Sequence, residues 1–247
     1  MRTLKTSKQE APVAVLEGFG GSVTGPEHVR LGHTNQDAWT FRKAGGSVMA
    51  AVADGLGSAK HGDLGAKAAC TAAVVAFRLA RRTGQPPSWH AIAVLRAVWH
   101  QLVARWGAEH CGTTCLACFI DPNGAMFAAQ AGDGIVAIRR SDGSLDVLPR
   151  KDKAFQNSTE TVLSLGGKDW PILSAAIQPG DAVFMATDGI ADDLDPSRID
   201  DFIAHLLTDY LPLSPPARAA RIRSALNKWP TRHHRDDKTL VVLARKS

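Results

Sequence analysis

Extended segments come in runs and helices come in pairs along this chain, an order that excludes an alternating βαβ fold. The apolar stretch from Val13 to Val23 reads as a strand, and the extended segments 38–42 and 47–53 are joined by Ala44-Gly45-Gly46 as a hairpin turn. The Ala-rich run 62–82 reads as a well-buried helix whose arginines cluster at its C-terminal end. Gly84-Gln85-Pro86-Pro87 breaks it, and Ser88 can cap a second helix reaching about His110, with Ile92, Leu95, Val98 and Leu102 on one stripe. Short apolar segments at 114–120, 125–130, 135–140 and 145–148, separated by turn residues, predict an antiparallel meander. A polar stretch, 150–160, interrupts it before further strands at 161–165, 172–177 and 182–187. Helices at 197–208 and 216–228 and a strand at 239–244 complete the chain. The expected class is therefore α+β, a four-layer αββα sandwich of two antiparallel sheets flanked by helix pairs. With no internal repeat or low-complexity linker, the expected organisation is a flexible lead-in over 1–12 and a single domain over 13–247.

Acidic residues supply the chemistry. Of the 24 acids, 19 are Asp and only 5 are Glu, a skew towards turns, caps and oxygen-ligand sites and away from solvated helix faces. Asp37, Asp54, Asp133, Asp188 and Asp236 each stand where an extended segment starts or stops. Carboxylates at the ends of different strands can meet at one rim of a sandwich, where their mutual repulsion calls for compensating cations. An all-oxygen ligand set favours Mg²⁺ or Mn²⁺ over zinc. Glycine after Asp54 and Asp188 would let the backbone leave the strand sharply and turn a carbonyl towards an ion. Asp142-Gly143, by contrast, reads as a plain tight turn, as does the segment at Asp121.

The four cysteines form no paired framework and read as buried free thiols in a reducing compartment. No run approaches the roughly 18 apolar residues of a membrane span, so the expectation is a soluble, cytoplasmic protein with no membrane partner. A net charge of +5 is mild, and the six tryptophans lack the basic interleaving of a single-strand binder, so no nucleic acid is expected. A metal-dependent nuclease is thus the weakest of the enzyme classes open to an acidic cluster.

In chain order the sequence carries NQDA at 35–38, DGLGSA at 54–59, GDLGA at 62–66, GTT at 112–114, GDG at 132–134, TDGIADD at 187–193 and DDKT at 236–239. This ordered set resembles the PPM-type, protein phosphatase 2C-like, metal-dependent serine/threonine phosphatases, in particular a bacterial subgroup, over about 13–244. The resemblance implies metal-dependent hydrolysis of phosphoserine and phosphothreonine on proteins by water activated by two or three Mg²⁺ or Mn²⁺ ions. It implies that Asp54 bridges two ions, that the Gly55 carbonyl binds one, and that Asp188 and Asp236 complete the first site. Asp133 matches a further, weaker metal position, and Asp37 a catalytic-site acidic residue acting mainly through metal-bound water. Asp192 matches an acid supporting Asp188, and Asp237 falls where the family often has Asn. The implied partners are a phosphorylated protein substrate and a cognate serine/threonine kinase, with the protein itself a monomer.

Three departures from the family pattern stand out. Gln36 replaces the usual Glu and removes one negative charge, and Leu56 replaces a His that some members use near the leaving group. Gly32 sits at the spacing of the phosphate-binding Arg, leaving Arg30 as the preferred substitute, with His28 and His33 as alternatives. These departures keep open a phosphatase-like regulatory or binding module that turns over slowly or not at all.

Overall fold

The structure is a computed structural model that describes residues 15–84, 88–149, 160–164, 166, 168–230 and 235–246. The lead-in 1–12 and most of the polar stretch 150–160, with Lys151, Lys153 and Asn157, which could contact a phosphoprotein substrate, lie outside the described residues. Strands β1 (Leu16–Val23), β2 (Asp37–Ala44), β3 (Ser47–Asp54), β4 (Cys115–Ile120), β5 (Ala125–Ala131), β6 (Ile135–Arg139), β7 (Leu145–Val147), β8 (Ile172–Ala176), β9 (Ala182–Ala186) and β10 (Lys238–Arg245) form two antiparallel sheets. Their orders are β1-β10-β9-β6-β7 and β2-β3-β4-β5-β8. The helices are α1 (Pro26–Leu31), α2 (Gly62–Thr83), α3 (Trp89–Val103), α4 (Asp188–Ala191), α5 (Ile199–Tyr210) and α6 (Pro215–Asn227).

Alternation along β3 shows how the layers form. Val48, Ala50 and Val52 join Leu116, Cys118, Val136, Met185 and Val241 in the core between the sheets. Met49, Ala51 and Ala53 face the other way, against α2 and α3. Both faces of the strand are therefore covered, which is why its sequence is a continuous apolar run with no polar alternation. The alanines of α2, among them Ala66, Ala69, Ala73 and Ala76, let that helix lie close on the sheet. On the opposite side, Ile203 and Leu206 of α5 and Ile222 and Leu226 of α6 cover the other sheet. This is the expected four-layer arrangement.

Several local expectations change. The segments 114–148 do not form a meander: β4 and β5 pair, but β6 leaves for the other sheet and pairs with β9 and β7, while β8 returns beside β5. Period-2 apolar patterning is the same whichever sheet receives the strand, so the crossing is invisible to it. Gln130 makes the crossing possible, its side-chain amide donating to the carbonyls of Gly132 and Gly134, both at 2.9 Å. No strand forms over 161–164, where the Thr161 hydroxyl and amide bond the Ser164 side chain and curl the chain into a turn. On α3 the buried stripe is Ile92, Leu95, Trp99 and Val103, with the expected Val98 partly buried against the same core and Leu102 exposed. Trp99 turns inward and donates its indole N–H to the Gly65 carbonyl at 3.0 Å. The helix proper ends at Val103, with two 3₁₀ turns continuing to His110. Two short helices, α1 and α4, were not expected. α1 begins at Pro26 with Glu27 in its first turn and ends on Gly32, whose φ of 70° is left-handed.

The strand registers separate two rims. At one end lie the β2–β3 turn and Asp121, Asp142 and Asp181, all with structural work. Asp121 accepts the Ala125 amide, Asp142 caps Ser144, and Asp181 accepts the Ser141 and Gln178 amides. At the other end the start of β2 meets the end of β3, and the end of β9 meets the start of β10 and of β6.

Candidate metal centre

All five strand-end aspartates lie at that second rim. Asp37 opens β2 directly opposite Asp54, which ends β3, so these two carboxylates are cross-strand neighbours about 5 Å apart at Cα. Asp133 sits in the crossing between β5 and β6, Asp188 follows β9 and opens α4, and Asp236 lies two residues before the start of β10. Their convergence is expressed in Asp54, whose carboxyl is held well above the usual carboxylate range. Burial is the largest cause, and the charges of Asp37, Asp188, Asp236 and Asp133 add to it.

Asp37 is pushed up to about 8, chiefly by burial, with Asp237 and Asp188 adding repulsion and the Thr239 and Thr187 hydroxyls opposing it. Thr187 Oγ1 donates to Asp37 Oδ2 at 2.9 Å, and the Asn35 side chain accepts the Asp37 amide at 2.8 Å. Asn35 thus fixes the Asp37 backbone, and Thr187 of the TDG motif holds its carboxyl.

Backbone hydrogen bonds explain why the motifs recur as units. The GTT segment clamps Asp54: Thr114 Oγ1 accepts its amide at 2.9 Å, while Thr113 Oγ1 and the Thr114 amide donate to its carbonyl at 2.9 and 2.8 Å. The Gly55 amide donates to the Gln36 carbonyl at 3.1 Å. Gly55 and Gly189 are required by space and not by a left-handed turn, since neither has positive φ. A Cβ on Gly55 would stand 2.3 Å from the Gly62 carbonyl at the start of α2, and one on Gly189 2.0 Å from the Asp237 carbonyl.

The adjacent acids of DDKT have different surroundings. Asp236 faces the cluster, as its effect on Asp54 shows. Asp237 is 1% exposed and its oxygens are taken up by the backbone: Oδ1 accepts the Gly25 amide and Oδ2 the Gln36 amide, each at 2.6 Å, and His28 Nδ1 stands 2.9 Å from Oδ2. It therefore clasps both ends of the segment that carries α1. His28, Asp236 and Asp237 offer donor atoms within 4.8 Å of one another, but both Asp237 oxygens are already engaged by backbone donors.

Of the candidate phosphate-binding cations, Arg30 lies on the exposed face of α1 with its guanidinium bound to Glu27 through two nitrogens, and its side chain is 65% exposed. His28 is paired with Asp237, and His33 is exposed. Leu56 packs beside Gly112, to whose carbonyl its amide donates at 3.0 Å. Burial pushes the thiols of Cys70, Cys115 and Cys118 up, which suits inert core residues.

Sequence reasoning missed Lys238. It is 1% exposed, donates from Nζ to the Asp236 carbonyl at 2.9 Å, and is faced by Asp193, Asp236, Asp237 and Asp37. Burial pulls its ammonium below the usual lysine range, while those four carboxylates push it back up. Its place in DDKT was the available signal, since a lysine opening an otherwise apolar strand has to be accommodated somewhere.

The residues fit a hard divalent cation. The carboxyls of Asp37 and Asp54, both raised by burial and by the charges of their acidic neighbours, mark a site whose repulsion a cation relieves, and every candidate ligand atom is oxygen. Beside them the Gln36 Oε1 is buried and makes no hydrogen bond. No described helix is long and apolar enough to cross a membrane.

Known proteins share this fold. A comparison with curated sequences finds no match. The phosphatase MsPP from Mycobacterium smegmatis, solved with cacodylate, superimposes with a TM-score of 0.63 at 20% identity, covering 94% of this chain and 99% of that one. PppA, a regulatory component of the type VI secretion system in Pseudomonas aeruginosa, gives 0.64 at 19% identity, covering 94% and 99%. RsbX, solved with magnesium, gives 0.60 at 14% identity, covering 94% and 96%. At these identities the likeness concerns the fold. The family profile described as protein phosphatase 2C matches residues 24–229, most of the chain and every motif of the rim except DDKT, and the chain therefore belongs to the protein phosphatase 2C family.

Proposed function

We propose that the protein is a Mg²⁺- or Mn²⁺-dependent phosphatase acting on phosphoserine and phosphothreonine in proteins. The observation that carries this reading is the meeting of Asp37, Asp133, Asp188 and Asp236 around Asp54 at one rim. Asp54, Asp188, Asp236, Asp133 and the Gly55 carbonyl would hold two or three ions, which supply Lewis-acid stabilisation of phosphoryl charge and a nucleophile at neutral pH. The chain's own contribution is to fix these oxygens through the GTT clamp on Asp54 and the Asp237 clasp beside Asp236. Asp37, buried directly across from Asp54, would accept or return a proton through water. Arg30 would hold phosphoryl oxygens by exchanging Glu27 for the substrate.

The reading extends to one domain over 13–247 working as a cytoplasmic monomer on a phosphorylated protein, opposite a cognate serine/threonine kinase. The alternative, a phosphatase-like module that binds without turnover, is favoured by Gln36, Leu56 and the engagement of Arg30 with Glu27. Incubation with phosphoserine and phosphothreonine peptides in Mg²⁺ or Mn²⁺ separates the two. Phosphate release abolished by EDTA supports the enzyme; metal and peptide binding by calorimetry without release supports the module.

A further inference from the structure

Lys238 has no part in the reading above, yet it occupies the inner wall of the acid cluster. It opens β10 opposite Val23 of β1, and its Nζ is fixed on the Asp236 carbonyl at 2.9 Å. Asp193, which follows α4, faces it and is itself held by the Trp229 indole N–H at 2.9 Å, just beyond the end of α6. The chain after α6 is thus tied to Asp193 after α4, and Asp193 in turn faces the ammonium at the start of β10. A buried lysine costs much unless carboxylates surround it, and buried carboxylates repel one another unless a cation lies among them.

We infer that Lys238 is a positioning residue and a built-in counter-cation: it holds the acid cluster together in the metal-free protein and, by its fixed charge, weakens divalent-cation binding to it. The inference rests on the proposed metal centre. A resident positive charge that acts on these carboxylates opposes an incoming cation, so the cation competes with Lys238 for them. The metal-free site is preorganised as a result, and the protein binds its ion loosely enough to respond to the ion's concentration.

The sign of the effect makes the inference testable. Calorimetry with Mn²⁺ on the full chain should give a dissociation constant about tenfold or more lower for Lys238→Met than for the unsubstituted protein. In the same variant the metal-free melting temperature should fall and the rise on adding saturating Mn²⁺ should grow. Lys238→Arg, which keeps the charge, should bind Mn²⁺ within a fewfold of the unsubstituted protein. Asp193→Asn provides the second route should Lys238→Met not fold. It removes the acid that partly neutralises the ammonium, and Mn²⁺ binding should weaken. Unchanged or weaker Mn²⁺ binding by folded Lys238→Met, or unchanged or tighter binding by Asp193→Asn, would overturn the inference. An unsubstituted protein that binds no Mn²⁺ would overturn the metal centre itself and this inference with it.

Discussion

Replacing Asp37 with asparagine should flatten the pH dependence of the metal-free protein's stability. The Asp37 carboxyl has a folded-state pKa of about 8 against 3.8 for the ordinary group, because it is buried and faces Asp237 and Asp188. Below the unfolded value both states carry the proton and the contribution is fully present. Between the two values the native state keeps a proton that the unfolded chain has released, and stability falls as pH rises. The slope from this group alone is about 1.4 kcal/mol per pH unit, and the loss is complete above the folded value. From pH 5 to pH 8 this amounts to roughly 4 kcal/mol, or on the order of 10 °C in melting temperature for a chain of this size. Asp54, raised by the same causes, adds in the same direction. Urea unfolding in EDTA, followed by circular dichroism across that range, measures the slope. The Asp37→Asn protein should lose at least the Asp37 share, and taking the difference between the two proteins cancels groups common to both. Equal slopes, or a metal-free protein that becomes more stable as pH rises, would refute the burial argument.

Other outcomes follow from individual contacts. Asp237→Ala strands the buried Gly25 and Gln36 amides that now donate at 2.6 Å, so unfolding free energy should drop by about 3 kcal/mol or more, measured in urea. Gly189→Ala places a Cβ 2.0 Å from the Asp237 carbonyl and should cost about 1–3 kcal/mol. Gly57→Ala, with nothing within 4 Å, should stay within about 0.5 kcal/mol in the same assay. Arg30→Ala should raise KM for a phosphopeptide severalfold with little change in kcat, and an unchanged KM would remove Arg30 from the site.

The sequence reading succeeded where a local signal determined the structure. Gly45 and Gly46, at φ of 54° and 77°, make the β2–β3 turn that their dipeptide predicted. The Ala-rich face of α2 is the face that packs. It failed where the decision lay far away in the chain. β6 crosses to pair with β9 in a turn that Gln130 bridges, and α3 presents Trp99 to Gly65, 34 residues earlier. The five aspartates were legible because strand ends are legible. Asp237 and Lys238 were not, because only the packing of β10 against β1, with α1 alongside, decides that one clasps the backbone and the other is buried among acids.

Phosphate release from a phosphothreonine peptide, followed against Mn²⁺ concentration for the unsubstituted and Asp54→Asn proteins, tests the central claim most directly. Release should require Mn²⁺, vanish in EDTA, and fall roughly a hundredfold or more in Asp54→Asn. Release that persists in EDTA, or that Asp54→Asn leaves unchanged, would contradict a reaction organised by the carboxylates at this rim.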